Sequence, residues 1–226
     1  MKRIIVLLIV ISALSACKKE VSKLIDQDKI WTHYELFYDQ NTDKTYATAT
    51  FRFSTEIGTK LELSSPSTVT IDGTEMTWNA DEALYESEFS GLVTTATFNW
   101  VDTDGNAFEN DIEIRDIDYP VALDDTLLHS EAVNFFNWAG MTPLDSGETV
   151  RLTLIGPGET DDRVFSIDTL GATTITIDSV NLARVDSGMV TLLLDKLYSQ
   201  TIQQQTSKGG LLIGKYRPTN REIYLD

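Results

Sequence analysis

The 226-residue chain is long enough for one large domain or for two of about 100 residues each. A hydrophobic content of 42% supports a packed core and excludes wholesale disorder. With 35 acidic against 18 basic residues the net charge is −17, a surface that repels nucleic acid and anionic headgroups, so DNA and RNA binding are excluded.

The chain opens on Lys2 and Arg3 and runs through apolar residues from Ile4 to Leu14, interrupted only by Ser12. It then reads Leu14-Ser15-Ala16-Cys17-Lys18-Lys19-Glu20. A basic start, a short apolar run and small residues are the layout of a secretory signal. The run is too short for a spanning helix, which needs about 20 residues. Leu14-Ser15-Ala16-Cys17 resembles the lipobox of bacterial lipoproteins. That resemblance implies removal of residues 1–16, a thioether-linked diacylglycerol on Cys17 and acylation of the new amino terminus. Loss of Lys2 and Arg3 takes the net charge from −17 to −19. Cys17 is the only cysteine, so a lipidated chain has no thiol for a disulfide or for cysteine catalysis.

Several acyl chains anchor a protein stably where one does not. Residues 17–29 are polar apart from Val21, Leu24 and Ile25 and are expected to form a lipidated tether. Lys18-Lys19-Glu20 is similar to the stretch that marks surface export in some Gram-negative groups, with a second lysine and only one acid. The absence of aspartate after Cys17 resembles outer-membrane sorting. The implied location is the bacterial outer membrane, facing the periplasm or the cell surface.

From Ile30 the hydrophobic pattern has period two. Between Thr45 and Ser54, Ala47, Ala49, Phe51 and Phe53 share one face, and Thr48, Thr50, Arg52 and Ser54 the other. Further strands are expected over 32–39, 60–64, 68–71, 75–78, 84–89, 93–101 and 107–116. Asp72-Gly73, Gly91 and Asp104-Gly105-Asn106 supply turn chemistry between them. Short strands broken by turns every eight to twelve residues predict a sandwich over 30–119. Asp118-Tyr119-Pro120 is the expected boundary, because proline stops ladder pairing and the alternation resets after it.

The second block, 120–226, is expected to hold a helical turn near Ser130 to Ala132 and a strand through Val133, Phe135 and Phe136. Strands over 148–155, 163–168, 173–177, 190–194, 211–216 and 222–225 follow. A single helical turn over 179–185 has Asp178 or Ser179 as its cap. The stretches from Ile175 to Leu182 and from Gly188 to Leu194, with Gly209-Gly210 before a closing strand pair, resemble immunoglobulin-like modules of bacterial envelope lipoproteins. The expected fold is therefore all-β: two tandem immunoglobulin-like β-sandwich domains after a lipoprotein signal peptide.

Site chemistry is sparse. Asp102, Asp104 and Asn106 place oxygen ligands at alternate positions beside Gly105, which suits calcium. The same residues suit a hairpin turn, which the flanking strands favour, and no cofactor is otherwise expected. Trp78 precedes polar Asn79 and is a candidate for stacking on a sugar, against a core role for the same ring. Trp100 shares a face with Ala96 and Phe98 and is expected in the core. His33 and His129, the only histidines, do not form a zinc signature, and no Gly-x-Ser-x-Gly elbow occurs. The expectation is a non-enzymatic, membrane-attached binding or structural module serving a protein partner. The alternative is a surface glycan-binding lipoprotein.

Overall fold

A computed structural model describes residues 20–120, 133–158 and 162–225 of the chain. The signal peptide, Cys17 and the turn expected near Ser130 lie outside the described residues.

The first unit carries β1 (Glu20–Val21), β2 (Ile30–Asp39), β3 (Lys44–Phe53), β4 (Lys60–Glu62), β5 (Thr68–Ile71), β6 (Thr74–Glu75), β7 (Thr77–Asn79), β8 (Leu84–Ser90), β9 (Thr95–Val101) and β10 (Ala107–Glu113). β2 and β3 form an antiparallel hairpin from Ile30↔Phe53 to Asp39↔Lys44. The other edge of β3 is shared: β8 takes Lys44 to Ala49, and β4 takes Phe51 and Arg52. A second sheet has the order β10-β9-β5-β6. The two sheets pack face to face around Tyr34, Leu36, Phe51, Phe98 and Trp100, all at most 1% exposed. Trp100 stacks on Phe108 with ring centres 4.7 Å apart, and its Nε1 donates to the Ser67 hydroxyl at 3.1 Å, as a buried indole requires. The alternation read from Ala47 to Phe51 holds, but Phe53 is 40% exposed at the strand's end.

The second unit carries β11 (Asn134–Asn137), β12 (Glu148–Ile155), β13 (Arg163–Ile167), β14 (Thr174–Ile177), α1 (Ser179–Leu182), β15 (Gly188–Gln200), β16 (Gly210–Arg217) and β17 (Arg221–Leu225). The Asp178 side chain caps α1 by accepting from the Asn181 N–H. β13, β12, β15 and β17 form one layer, and β11 pairs with β14 in another. Between them lie Trp138, Leu152, Leu154, Ile175, Leu192 and Leu194. Both units are thus two-layered β-sandwiches, and the described residues are all-β apart from single helical turns.

Two sequence expectations are corrected. First, residues 20–29 are folded against the first unit instead of forming a free tether. β1 runs parallel to β4, and Ser22 is fully buried, its hydroxyl accepting from the Ser64 N–H at 2.9 Å. Gln27 is 5% exposed and donates to the carbonyls of Ser22 and Ile25. Polar side chains that satisfy backbone groups are buried at little cost, so composition alone misreads them as solvated.

Second, the two units are not strung in series. β16 lies parallel to β2 over eight pairs, Gly210↔Thr32 to Arg217↔Asp39, while its other edge pairs with β15. One sheet therefore passes through both sandwiches in the order β4-β3-β2-β16-β15-β12-β13. Leu212 belongs to the first core, and Tyr216 packs against both. The cores change over between Ile114 and Ile117, and Tyr119, expected to end the first unit, is buried in the second. Its hydroxyl donates to the Leu192 carbonyl at 2.7 Å.

Candidate functional site: the outer face of the shared sheet

Each strand of the shared sheet sends alternate side chains to the cores and the rest to the opposite face. In β2 the core takes Tyr34, Leu36 and Tyr38, leaving Glu35, Phe37 and Asp39 half-buried on the outer face. The register extends this face across both units. One row reads Leu197, Lys215, Phe37, Tyr46, Glu88, and the next reads Ser199, Ile213, Glu35, Thr48, Glu86. These side chains are half-buried except for Ser199 and, at the β8 rim, Glu86 and Glu88, which are exposed.

Phe37 and Tyr46 stand side by side, ring centres 6.1 Å apart. Lys215 Nζ lies 4.2 Å from the Phe37 ring centre and the Arg217 guanidinium 5.5 Å from it, within cation–π reach. Arg217 donates in fork geometry to both oxygens of Asp195, at 2.7 and 2.8 Å, which raises its affinity for its proton. Burial raises the pKa of Glu35, and Asp195 adds to this while Lys215 and Arg151 oppose it. Cations and carboxylates are interleaved here, although the chain as a whole is strongly acidic.

At the β3–β8 rim of this face lies a hollow of about 380 Å³ bounded by Tyr46, Thr48, Thr77, Glu86 and Glu88. Its two carboxylates are each held by one donor. Asn79 Nδ2 donates to Glu86 at 3.0 Å, and Lys44 pairs with Glu88 at 2.6 Å. A second hollow, about 490 Å³, lies over the other sheet between Asp72, Thr97, Asp111 and Gln203. It has no aromatic lining residue. Thr97 donates from its backbone to Asp72 and from its hydroxyl to Asp111.

The sequence candidates fall in three places. Trp78 and Asn79 diverge, as neighbours on a strand must: Trp78 packs on Tyr85 at 5.0 Å and against the first core, while Asn79 turns to Glu86. Asn79 Oδ1 also accepts from the N–H groups of Asp81 and Glu82, which folds the β7–β8 turn. Asp102 is 1% exposed between β9 and β10, and its carboxylate accepts from the N–H groups of Asp104 and Asn106 and from Asn106 Nδ2. Asp102 and Asn106 therefore bond to each other, while Asp104 and Asn106 are exposed. Among the described residues no group of three His, Cys, Asp or Glu side chains is placed to share a metal ion. Cys17 lies outside the described residues.

Phe37 and Tyr46 escaped sequence reading. Their signal was present: each is a large aromatic out of phase with an apolar alternation, Phe37 between Leu36 and Tyr38, and Tyr46 before Ala47.

No protein-family model matches the chain, and no curated protein does. Among solved structures the chain is similar to a tetra-tandem repeat in the extending region of a large adhesion protein, at 13% identity, over 86% of this chain and 49% of that one, with a TM-score of 0.25. It is similar to the chicken CNTN1 FN1–FN3 domains at 10% identity, over 85% of this chain and 65% of that one, TM-score 0.26. It is also similar to the Bacteroides ovatus mixed-linkage glucan utilization locus SGBP-B, solved with a mixed-linkage heptasaccharide, at 10% identity, over 88% of this chain and 60% of that one, TM-score 0.25. The chain spans less than two thirds of each. No helix among the described residues is long and apolar enough to cross a membrane.

Proposed function

We propose that the protein is a non-enzymatic lipoprotein of the bacterial outer membrane, anchored through lipid on Cys17, whose outer sheet face docks a protein partner. The observation that carries the reading is the continuity of that face across both sandwiches. From β8 to β13 it spans six strand steps, roughly 29 Å at about 4.8 Å each. The eight paired residues of β16 and β2 give it a depth of roughly 26 Å at about 3.3 Å per residue. The product is close to the roughly 800 Å² that one side of a standard protein interface buries. Phe37, flanked by Lys215 and Arg217, supplies an aromatic and cationic anchor of the kind that concentrates binding energy.

The folded stretch from Glu20 supports a membrane-proximal partner. Only Lys18 and Lys19 separate Cys17 from β1, a reach of roughly 10 Å over three steps of about 3.5 Å. The test is a photo-crosslinking residue at Ile213, with the outer face of the second sheet, at Thr97, as control. The expected result in intact cells is one adduct of fixed mass from position 213, absent from position 97 and lost in Phe37→Ala. Equal adducts at both positions would sink the reading.

The alternative is capture of a surface glycan. Trp78, packed against Tyr85 and the first core, is a poor platform for it, and the hollow beside Tyr46 is a better one.

A further inference from the structure

The hollow at the β3–β8 rim has lining of a specific kind. Tyr46 supplies an amphipathic ring beside Phe37, and Thr48 and Thr77 supply hydroxyls. Glu86 and Glu88 bring two carboxylates, each positioned by one donor and each with acceptor capacity left over. A carboxylate has about four lone-pair sites, and one bond from Asn79 or Lys44 fixes its orientation without filling them. The pattern therefore asks for a ligand rich in hydroxyl donors that also has an apolar C–H surface to lie against an aromatic ring.

Charge narrows the class. Lys44 offsets Glu88, and among the described residues Glu86 has no cation paired to it, so an anionic ligand is repelled. The volume, about 380 Å³, lies within the roughly 300–1,000 Å³ range of small-ligand sites. We infer that this hollow is a binding site for a neutral saccharide, with Tyr46 packing against a sugar ring and Glu86 and Glu88 accepting from its hydroxyls. The inference deepens the glycan reading and is independent of the protein-docking reading, since it uses only the rim of the face.

The test uses the full chain in a detergent without a sugar headgroup. Calorimetry is run against neutral hexasaccharides of glucose, mannose and xylose and against an acidic hexasaccharide of galacturonic acid. At least one neutral hexasaccharide binds, and the acidic one does not. Tyr46→Ala weakens binding by about tenfold or more, as expected for truncating an aromatic anchor. Glu86→Gln, which keeps the shape and the bond from Asn79, weakens it by about fivefold, and Ser166→Ala at the far β13 edge leaves it unchanged. Thermal melts establish that each variant is folded. Absence of binding by every neutral saccharide overturns the inference, as does binding that survives Tyr46→Ala in a folded protein. Neither outcome touches the crosslink at position 213, so the two readings fail separately.

Discussion

Gly214 of β16 lies directly against the backbone of Glu113: a Cβ built on Gly214 would overlap the Glu113 carbonyl oxygen and crowd Ile114 Cα. Leu212 and Tyr216 flank it on the core side, so the missing side chain leaves room for the end of β10 to cross the sheet from the first core to the second. Gly214→Ala is expected to destabilise the protein by roughly 1–3 kcal/mol, the usual cost of overpacking. A denaturant melt checks this. A change below about 0.5 kcal/mol would show that the crossing is loose.

Glu148 is 4% exposed and accepts from Arg115 at 3.1 Å, Lys196 at 3.0 Å and the Asp145 N–H at 2.9 Å. Burial alone would raise its pKa, but these partners together hold the carboxyl below its ordinary value. The folded pKa lies below the unfolded one. The stabilisation is therefore complete above the unfolded value and is lost as pH falls through the folded one. Glu148→Ala is expected to cost roughly 1–3 kcal/mol at neutral pH, since it takes the acceptor from Lys196 and the Asp145 N–H while Arg115 keeps Glu113 at 2.6 Å. It should also shrink the acid-side drop in Tm, measured by melts across the acid range.

Glu35 has the opposite sign. Its folded pKa is raised by burial, so protonation is favoured in the folded state. Stability is greatest below the unfolded pKa and falls as pH rises through the folded one, leaving a standing cost at neutral pH. Glu35→Gln is expected to raise Tm by about 1–2 °C near neutral pH. That gain should disappear in acid. A drop in Tm at neutral pH would mean that Lys215 and Arg151 outweigh the burial.

The outward edge of β10 is closed by side chains instead of a strand. Gln200 exchanges two bonds at 2.9 Å with the backbone of Glu113, and Gln203 exchanges bonds of 2.9 and 3.1 Å with that of Asp111. Gln204 accepts from the Glu109 N–H at 2.9 Å. These amides occupy the groups that an incoming strand would use. Gln203→Ala is expected to speed amide exchange at Asp111 by about fivefold, the worth of one net hydrogen bond of roughly 1 kcal/mol. Exchange at the Thr97 N–H, on the neighbouring strand, serves as the reference.

The Asp102 turn separates the calcium reading from the hairpin reading. Three N–H donors already hold the carboxylate inside its own turn, so a chelator is expected to leave Tm unchanged. Asp102→Ala should cost roughly 1–3 kcal/mol by stranding those donors. A lower Tm in the chelator, restored by added calcium, would instead place an ion there.

Much of the architecture was legible. The strands over 68–71 and 148–155 follow from strict alternation, and the cap at Asp178 follows from its position before a helical turn. The length of β15 was not legible. Its core row, Val190, Leu192 and Leu194, turns polar at Lys196 and Tyr198, because there the strand leaves the second core and Tyr198 lies under Arg115 at 3.7 Å. Nor could local patterning show that β16 would pair with β2, since period two fixes a strand's faces and says nothing of its neighbour. Tyr46 was legible as an aromatic out of phase with the alternation, but only register places Phe37, Glu86 and Glu88 around it.

The parallel seam between β2 and β16 also fixes an order of events. Thr206 bonds the Ile30 carbonyl across 176 residues, so the first sandwich closes only through one of the longest loops the chain can form. Long-range pairing is slow, because closure entropy is spent before its contacts are made. The amino-terminal unit is therefore completed late, its β2 edge waiting for residues 210–217. Until they arrive, that edge offers unpaired backbone to any passing strand, which leaves the partly folded chain open to strand addition from a neighbouring chain.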